Sequence, residues 1–273
     1  DAIRTIFREI KDRKVQAIFT VRPLVKLLAS SYQQYLKYGI KVDYTEWLHS
    51  VLDKPGESKI NPTFWKRHFH GRVVGRWVDV LGPQNVTVII VDESQPKFLF
   101  DSINTYLGLP QGLLKSQETG SNRSLTMEEV ALLLEINRRF PEERDWDEYE
   151  VFIRNGYIRT ITDHVKPSLD SGKLLTPRWA IDKGNEIGGQ NKSELIATRA
   201  RIIGDLESLD NSTVPEGESV YPTQISIDVV SQAMLTFDKE SVGKMPINWV
   251  QRNVLGRYKG RVRKEFNRLR KKL

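Results

Sequence analysis

Two short runs of apolar and β-branched residues stand out in a chain that is otherwise patterned for helices. Residues 15–21 (VQAIFTV) and 86–91 (VTVIIV) are nearly continuous in apolar side chains. Such runs are typical of parallel strands that are buried on both faces. Elsewhere apolar residues recur every three or four positions, which is the spacing of amphipathic helices. Because parallel strands need a crossover between them, the pattern predicts an α/β fold with helical connections.

The helical spacing also predicts the order of the remaining elements. Thr126 and Glu129 have the spacing of a capping box, which predicts that a helix begins there. Two stretches, 167–192 and 210–224, are rich in Pro, Gly and polar residues and are predicted to be loops. We expect an α/β domain at 1–209 and a helical C-terminal extension at 210–273. Helices are predicted at 2–12, 23–37, 44–52, 62–81, 96–107, 126–140, 145–165, 192–203, 226–237 and 247–271.

The first predicted strand ends in Arg22-Pro23 and leads directly into a helix that carries Ser30 and Ser31. A helix N-terminus offers unpaired N–H groups and a positive dipole end, and a nearby arginine adds a two-pronged donor. This arrangement predicts a bound phosphate or similar anion. Two structural alternatives stay open: Arg22 pairs with a carboxylate at the strand end, and Ser30 donates to a carbonyl one turn earlier.

The seven residues between Arg22 and Ser30 give a spacing that resembles the 3′-phosphate-binding element of sulfotransferases, which use 3′-phosphoadenosine 5′-phosphosulfate (PAPS). Residues 64–77 (FWKRHFHGRVVGRW), 86–94 (VTVIIVDES) and 96–109 (PKFLFDSINTYLGL) resemble that family's succession of helix, strand, acidic turn and helix. Residues 121–125 (SNRSL) and 200–209 (ARIIGDLESL) are similar to segments of bacterial, particularly actinobacterial, sulfotransferase-like proteins.

The resemblance implies a three-layer P-loop NTPase-like fold with a short parallel sheet. It implies transfer of a sulfuryl group from PAPS to a hydroxyl or amine of a carbohydrate, lipid or small metabolite, with adenosine 3′,5′-bisphosphate as the other product. The cofactor-binding residues that it implies are Arg22, Ser30, Ser31, Asn122 and Arg123. For Asn122 and Arg123, capping of the next helix is the structural alternative.

One part of the family's pattern is missing from this sequence. The family's Lys-, Gly- and Ser-rich 5′-phosphosulfate loop and its usual catalytic base come several dozen residues before the Arg-bearing strand. Only about twenty residues precede Arg22, and they are patterned as a helix. We therefore expect a sulfotransferase fold without its first βα unit, which supplies the 3′-phosphate half of the cofactor site and is inactive by itself.

His68 and His70 are the remaining candidates for catalysis, as bases that accept a proton. A spacing of two on a helix places side chains on different faces, so the sequence predicts that His68 and His70 do not share a metal ion. In one alternative, His70 forms a polar rim with Lys66 and Arg67 that faces the substrate. In the other, the segment contributes only a packing face.

The net charge of +7 is concentrated at the C-terminal end. Residues 256–273 contain nine of the 42 Lys and Arg residues and one of the 35 Asp and Glu residues, which leaves 33 basic and 34 acidic residues elsewhere. Apolar residues in 247–271 recur at helical spacing, which predicts a basic amphipathic helix. Such a helix packs on its own domain, lies on an anionic membrane surface or binds a polyanion; we expect its apolar stripe to dock on the domain and its basic face to be available for anionic lipid or glycan. The alternative function is a non-catalytic polyanion- or membrane-surface-binding protein on a degenerate sulfotransferase fold.

Several other classes of protein find no support in the sequence. The chain has no cysteine, which excludes disulfides, zinc–thiolate sites and a cysteine nucleophile. It contains no GxSxG, HExxH, EF-hand or Rossmann glycine motif, and no apolar run reaches the roughly 18–20 residues that span a bilayer. We expect a cytoplasmic protein whose contact with membranes is peripheral. We expect no recognition of specific nucleic acids.

Overall fold

The structure is a computed structural model that describes residues 15–115, 123–165, 167 and 171–234, with 247, 249–251, 255 and 259. The described chain divides into two compact units, each of them discontinuous in sequence. The first unit comprises 15–32, 42–115 and 174–220, and the second contains 33–41, the described part of 123–173, and 221–234. The sequence had suggested continuous segments at 1–209 and 210–273.

The helices and strands confirm a mixed α/β chain that is rich in helix. In chain order they are β1 (Ala17–Val21), α1 (Leu24–Leu36), α2 (Tyr44–Leu52), α3 (Phe64–His68), α4 (His70–Leu81), β2 (Val86–Ile90), α5 (Phe98–Leu107), α6 (Met127–Arg139), α7 (Trp146–Tyr149), a π-helix (Glu150–Ile158), α8 (Arg159–His164), α9 (Arg178–Ala197), β3 (Arg201–Ile203) and α10 (Ile227–Met234). Short 3₁₀ turns lie at Pro83–Asn85 and Leu206–Leu209.

The first unit is built on a parallel sheet with the strand order β1-β2-β3. Ala17 pairs with Val86, and Thr87 pairs with Arg201. All five residues of the central strand β2 are buried, which is why its sequence is a nearly continuous apolar run, interrupted only by Thr87. Both strands that the apolar runs predicted are confirmed.

Helices α4 and α9 pack on this sheet and on each other. Val74 of α4 and Leu195 of α9 belong to one buried cluster with Val88 of the sheet. The two helices come close at Gly71, where an added Cβ atom would lie 2.1 Å from the Cβ atom of Glu194. This glycine is therefore required by packing, because no larger residue fits without displacing α9.

The third strand and the helix before it correct the sequence-based prediction. A helix was predicted at 192–203 and a loop at 167–192, whereas α9 occupies 178–197 and residues 201–203 form β3. Arg199, with φ of 57°, turns the chain between them. The apolar residues of β3 are β-branched and pair with β2, so pairing in the sheet overrides a spacing that also suits a helix.

The predicted helix 62–81 is interrupted at Phe69, whose φ and ψ of −77° and 72° are not helical. The Phe69 ring stacks on Trp65 with ring centroids 4.6 Å apart. Nδ2 of Asn191, on α9, donates to the carbonyl of His68 at 3.1 Å. The carbonyl of His68, which the interruption leaves without a partner in the helix, is therefore satisfied by Asn191.

The second unit is helical and is organised by buried polar contacts. Thr126 and Glu129 form the capping box that was predicted at the start of α6. Asn137 of α6 donates to the carbonyls of Leu36 and Ile40 and accepts from the hydroxyl of Tyr149 at 2.7 Å. These contacts hold the connection between α1 and α2 against α6.

Some predicted features lie outside the described residues. They include the helix at 2–12, Asn122 and most of the helix at 247–271. Over the ranges that the structure covers, no helix combines the length and the apolar character needed to cross a membrane.

Candidate functional site

A small cavity lies where β1 ends and α1 begins. In parallel α/β sheets, ligands bind outside the carboxyl ends of the strands, and Arg22 is the residue that follows β1 directly. The cavity has a volume of about 220 Å³. Its apolar wall comes from β1, α1 and α4, and its polar lining is Thr20, Arg22, Arg67, His68 and His70.

Arg22 has a carboxylate partner and one nitrogen without a partner. Its Nη2 atom donates to the carboxylate of Glu93, in the acidic turn after β2. This is the pairing at the strand end that the sequence left open, and it orients the guanidinium. The Nε atom is buried and has no hydrogen-bond partner among the described residues. An unpaired buried N–H group costs about 1–3 kcal/mol, and this one is enclosed by neighbouring protein atoms.

The break at Phe69 brings His68 and His70 together. Their ring centroids are 5.9 Å apart and the ring planes are nearly perpendicular, at 82°. A continuous helix would have separated them, so the prediction that they lie on different faces is wrong. The Phe64 ring, 4.3 Å from that of His68, closes the apolar side of the pair.

Both imidazoles are neutral at physiological pH. Burial lowers the pKa of His70 to about 4. Burial, and then the charges of His70 and Arg67, lower the pKa of His68 to about 3. A neutral imidazole carries one N–H donor and one acceptor nitrogen. Neither ring nitrogen of His70, a residue with only 9% of its surface exposed, has a hydrogen-bond partner within the described chain.

The two serines of α1 do not line this cavity. The Ser30 hydroxyl donates to the carbonyl of Leu27 at 3.0 Å, which is the structural alternative that the sequence left open. Ser31 is partly buried on the same helix. A role for Ser30 in binding phosphate stays a prediction, and it requires the hydroxyl to rotate away from Leu27.

Arg123 has a structural role in the second unit. It forms a two-pronged ion pair with Glu129, with N–O distances of 2.8 and 2.6 Å, and Glu129 is almost fully buried. It also donates to the carbonyls of Ile161 and Val165. All three guanidinium nitrogens are engaged, so a role as a cofactor ligand stays a prediction that requires one of these bonds to break.

A second polar cavity, of about 300 Å³, lies at the carboxyl ends of β2 and β3 and is lined by Lys26, Asp92 and Asp205, among others. Asp92 accepts hydrogen bonds from Ser94 and Gln95, and those from Ser94 contribute most to lowering its pKa. Asp92 therefore holds the turn after β2 together. Across the described residues no group of three His, Asp or Glu side chains could hold a metal ion.

Two features of the Arg22 cavity could be found only in part from the sequence. Arg67 was considered as a rim residue with His70, but its position beside Arg22 needed the fold. The closeness of His68 and His70 had no local signal, because Phe69 is compatible with a helix. The sequence offers only an indirect indication: Gly71, directly after His70, is small enough to permit the close contact between α4 and α9.

Comparison of the chain with protein-family models, with curated proteins and with solved structures found no match. Proposals about function therefore depend on the Arg22 cavity and on the resemblance in the sequence.

Proposed function

We propose that the chain is a sulfotransferase-like protein that binds PAPS or adenosine 3′,5′-bisphosphate through an anionic group at Arg22. The observation that carries this proposal is the cavity at the end of β1, where Arg22 and Arg67 border two neutral imidazoles. Arg22 lines this cavity, and its guanidinium would form charge-assisted hydrogen bonds with a phosphate oxygen.

The surroundings of Arg22 favour an anion in two further ways. Helix α1 begins two residues after Arg22 and is 13 residues long, so its positive dipole end lies near the same strand end. The cavity walls contributed by Phe19, Leu27 and Val73 are apolar, and a low local dielectric strengthens interactions with charge. Glu93 partly offsets the charge of Arg22, which lowers the affinity for an anion.

The chemistry that this proposal requires is simple. PAPS supplies the sulfuryl group and adenosine 3′,5′-bisphosphate as the leaving group. Arg22 and Arg67 hold the 3′-phosphate by charge-assisted hydrogen bonds. His68 and His70 stay the candidates for the base that accepts the proton lost by the attacking hydroxyl or amine, in which case the sulfuryl end of PAPS, and not its 3′-phosphate, occupies this cavity. Ser30 joins the site only if its hydroxyl turns from the Leu27 carbonyl.

Isothermal titration calorimetry of the chain tests the proposal. Adenosine 3′,5′-bisphosphate should bind more tightly than adenosine 5′-monophosphate, because only the former carries the 3′-phosphate. Arg22→Ala should weaken bisphosphate binding by about 1.5–3 kcal/mol, as expected for a hydrogen bond to a charged group. Arg76→Ala is the control, since Arg76 is exposed on α4 and does not line the cavity. Equal affinities for the two nucleotides would refute the proposal.

A further inference from the structure

We propose that His68 and His70 act as a proton-accepting pair, so that the cavity binds a tetrahedral oxyanion, such as sulfate or a sulfuryl or phosphoryl group, together with one proton. This inference rests on the proposed function in placing an anion beside Arg22. It adds the size of the group that enters the cavity and the proton that accompanies it.

The dimensions of the cavity define what it can take. Sites for drug-sized ligands measure about 300–1,000 Å³, and this cavity measures about 220 Å³. The cavity lies below that range, so we match it with a single small tetrahedral group. The groups that line the cavity and can meet such an anion are the side chains of Arg22 and Arg67 and the imidazoles of His68 and His70.

The charged groups around the pair explain why it is neutral without an anion. Arg67 lines the cavity beside the pair and favours the neutral form of His68. Glu93 is engaged with Arg22, and Glu194 of α9 is paired with Arg72 at 3.3 Å, so neither carboxylate is bonded to an imidazole. The charged groups that line the cavity with the pair are Arg22 and Arg67. The carboxylates of Glu93 and Glu194 are paired with Arg22 and Arg72.

An anion in the cavity reverses this balance. Burial and neighbouring positive charge disfavour the imidazolium, whereas an adjacent dianion favours it. Binding therefore raises the affinity of the pair for a proton, and by linkage a proton raises the affinity for the anion by the same factor. With the rings 5.9 Å apart, a second positive charge repels the first, so the pair takes up one proton and not two.

The test measures binding of inorganic sulfate to the chain between pH 5 and 8, at constant ionic strength set with chloride. Sulfate keeps its double charge over this range, so any pH dependence comes from the protein. We expect the affinity to rise as the pH falls, by up to about tenfold per pH unit for one proton. Calorimetry in two buffers with different ionisation enthalpies should show uptake of a proton on binding.

Matched variants assign the proton to the pair. His68→Gln and His70→Gln should each reduce the pH dependence and the proton uptake. His49→Gln is the control, because His49 is exposed and paired with Asp53 instead. If a variant of the pair fails to fold, the wild-type chain still decides the matter. It has four histidines, and NMR should show two imidazole signals titrating at higher pH when sulfate is present.

The outcomes separate this inference from the proposed function. Sulfate binding that is independent of pH, with imidazole signals that sulfate does not shift, would overturn the inference. If bisphosphate binding still needs Arg22 in that case, the proposed function stands without it. If instead sulfate binds with a proton while the two nucleotides bind equally, the inference stands and the nucleotide proposal fails.

Discussion

Replacing Gly71 by alanine should destabilise the first unit, because Gly71 is the point where α4 meets α9. An added Cβ atom would lie 2.1 Å from the Cβ atom of Glu194 and 3.1 Å from its backbone carbonyl carbon. The first contact is far inside van der Waals distance, and the second is with backbone. The change cannot be absorbed by rotating one flexible side chain, so α4 and α9 must separate.

The size of the effect follows from two opposing terms. Forcing an extra carbon into a packed contact costs typically about 1–3 kcal/mol. Alanine in place of glycine inside a helix recovers about 0.5–1 kcal/mol. Gly75 is the matched control on the same helix, since a Cβ atom there meets only Thr198 Cγ2 at 3.9 Å. Gly75→Ala should therefore stabilise the chain by about 0.5–1 kcal/mol.

Urea denaturation followed by circular dichroism measures both variants. Gly71→Ala should lower the free energy of unfolding by about 1–2 kcal/mol, so the two alanine variants should differ by about 1.5–3 kcal/mol. Sulfate binding should also weaken in Gly71→Ala, because Gly71 adjoins His70. Equal stabilisation by both substitutions would show that α4 and α9 are farther apart than the structure has them.

Three further results are expected. Glu129→Gln should lower the free energy of unfolding by at most about 3–5 kcal/mol, because it leaves the partly buried Arg123 without its counter-ion. Glu135→Gln, at an exposed pair, should change it by less than about 0.5 kcal/mol. Acid should destabilise the chain between pH 6.5 and 4, because the pKa of His70 is about 4 in the folded chain, below its usual value of 6.5, so the unfolded chain binds the proton more tightly. The loss of stability should be on the order of 3 kcal/mol at pH 4 and should be smaller in His70→Gln. Deleting residues 256–273, which carry a net charge of +8, should abolish salt-sensitive binding to heparin.

The parts of the fold that could be predicted are those whose signal is local. Strand β2 is an unbroken β-branched run and is buried along its whole length. Helix α6 begins at the capping box that Thr126 and Glu129 form. In each case neighbouring residues, and no distant partner, determine the conformation. The helices from 44–52 and 127–139 were found for the same reason.

The parts that could not be predicted depend on distant partners. Gly184 and Gly188 made the region of α9 look like a loop. An added Cβ atom at Gly188 would meet the Leu209 carbonyl oxygen at 1.9 Å, so this glycine serves a close contact and does not mark a turn. Residues 201–203 form a strand only because β2 offers an edge with which they pair. A local pattern carries no information about either partner.

The candidate site shows the same division. Arg22 was identified because the end of a strand, the start of a helix and a basic residue are adjacent in sequence. The histidine pair was not, because its geometry depends on the interruption at Phe69. That interruption is supported by α9, through the bond from Asn191 to the His68 carbonyl and through the close contact at Gly71.

It follows that α9 helps to determine the chemistry of the cavity without lining it. If α4 shifted away from α9, the chain could become helical through Phe69 and turn His68 and His70 to different faces. The cavity would then keep the charge of Arg22 but lose the pair that takes up the proton. Anion binding in Gly71→Ala should therefore become weaker and less dependent on pH at the same time. If Gly71→Ala lowered only the stability, the molecules that remain folded would bind the anion with the same pH dependence as the wild type. Measuring both the affinity and its pH dependence therefore distinguishes a loss of stability from a change in the cavity.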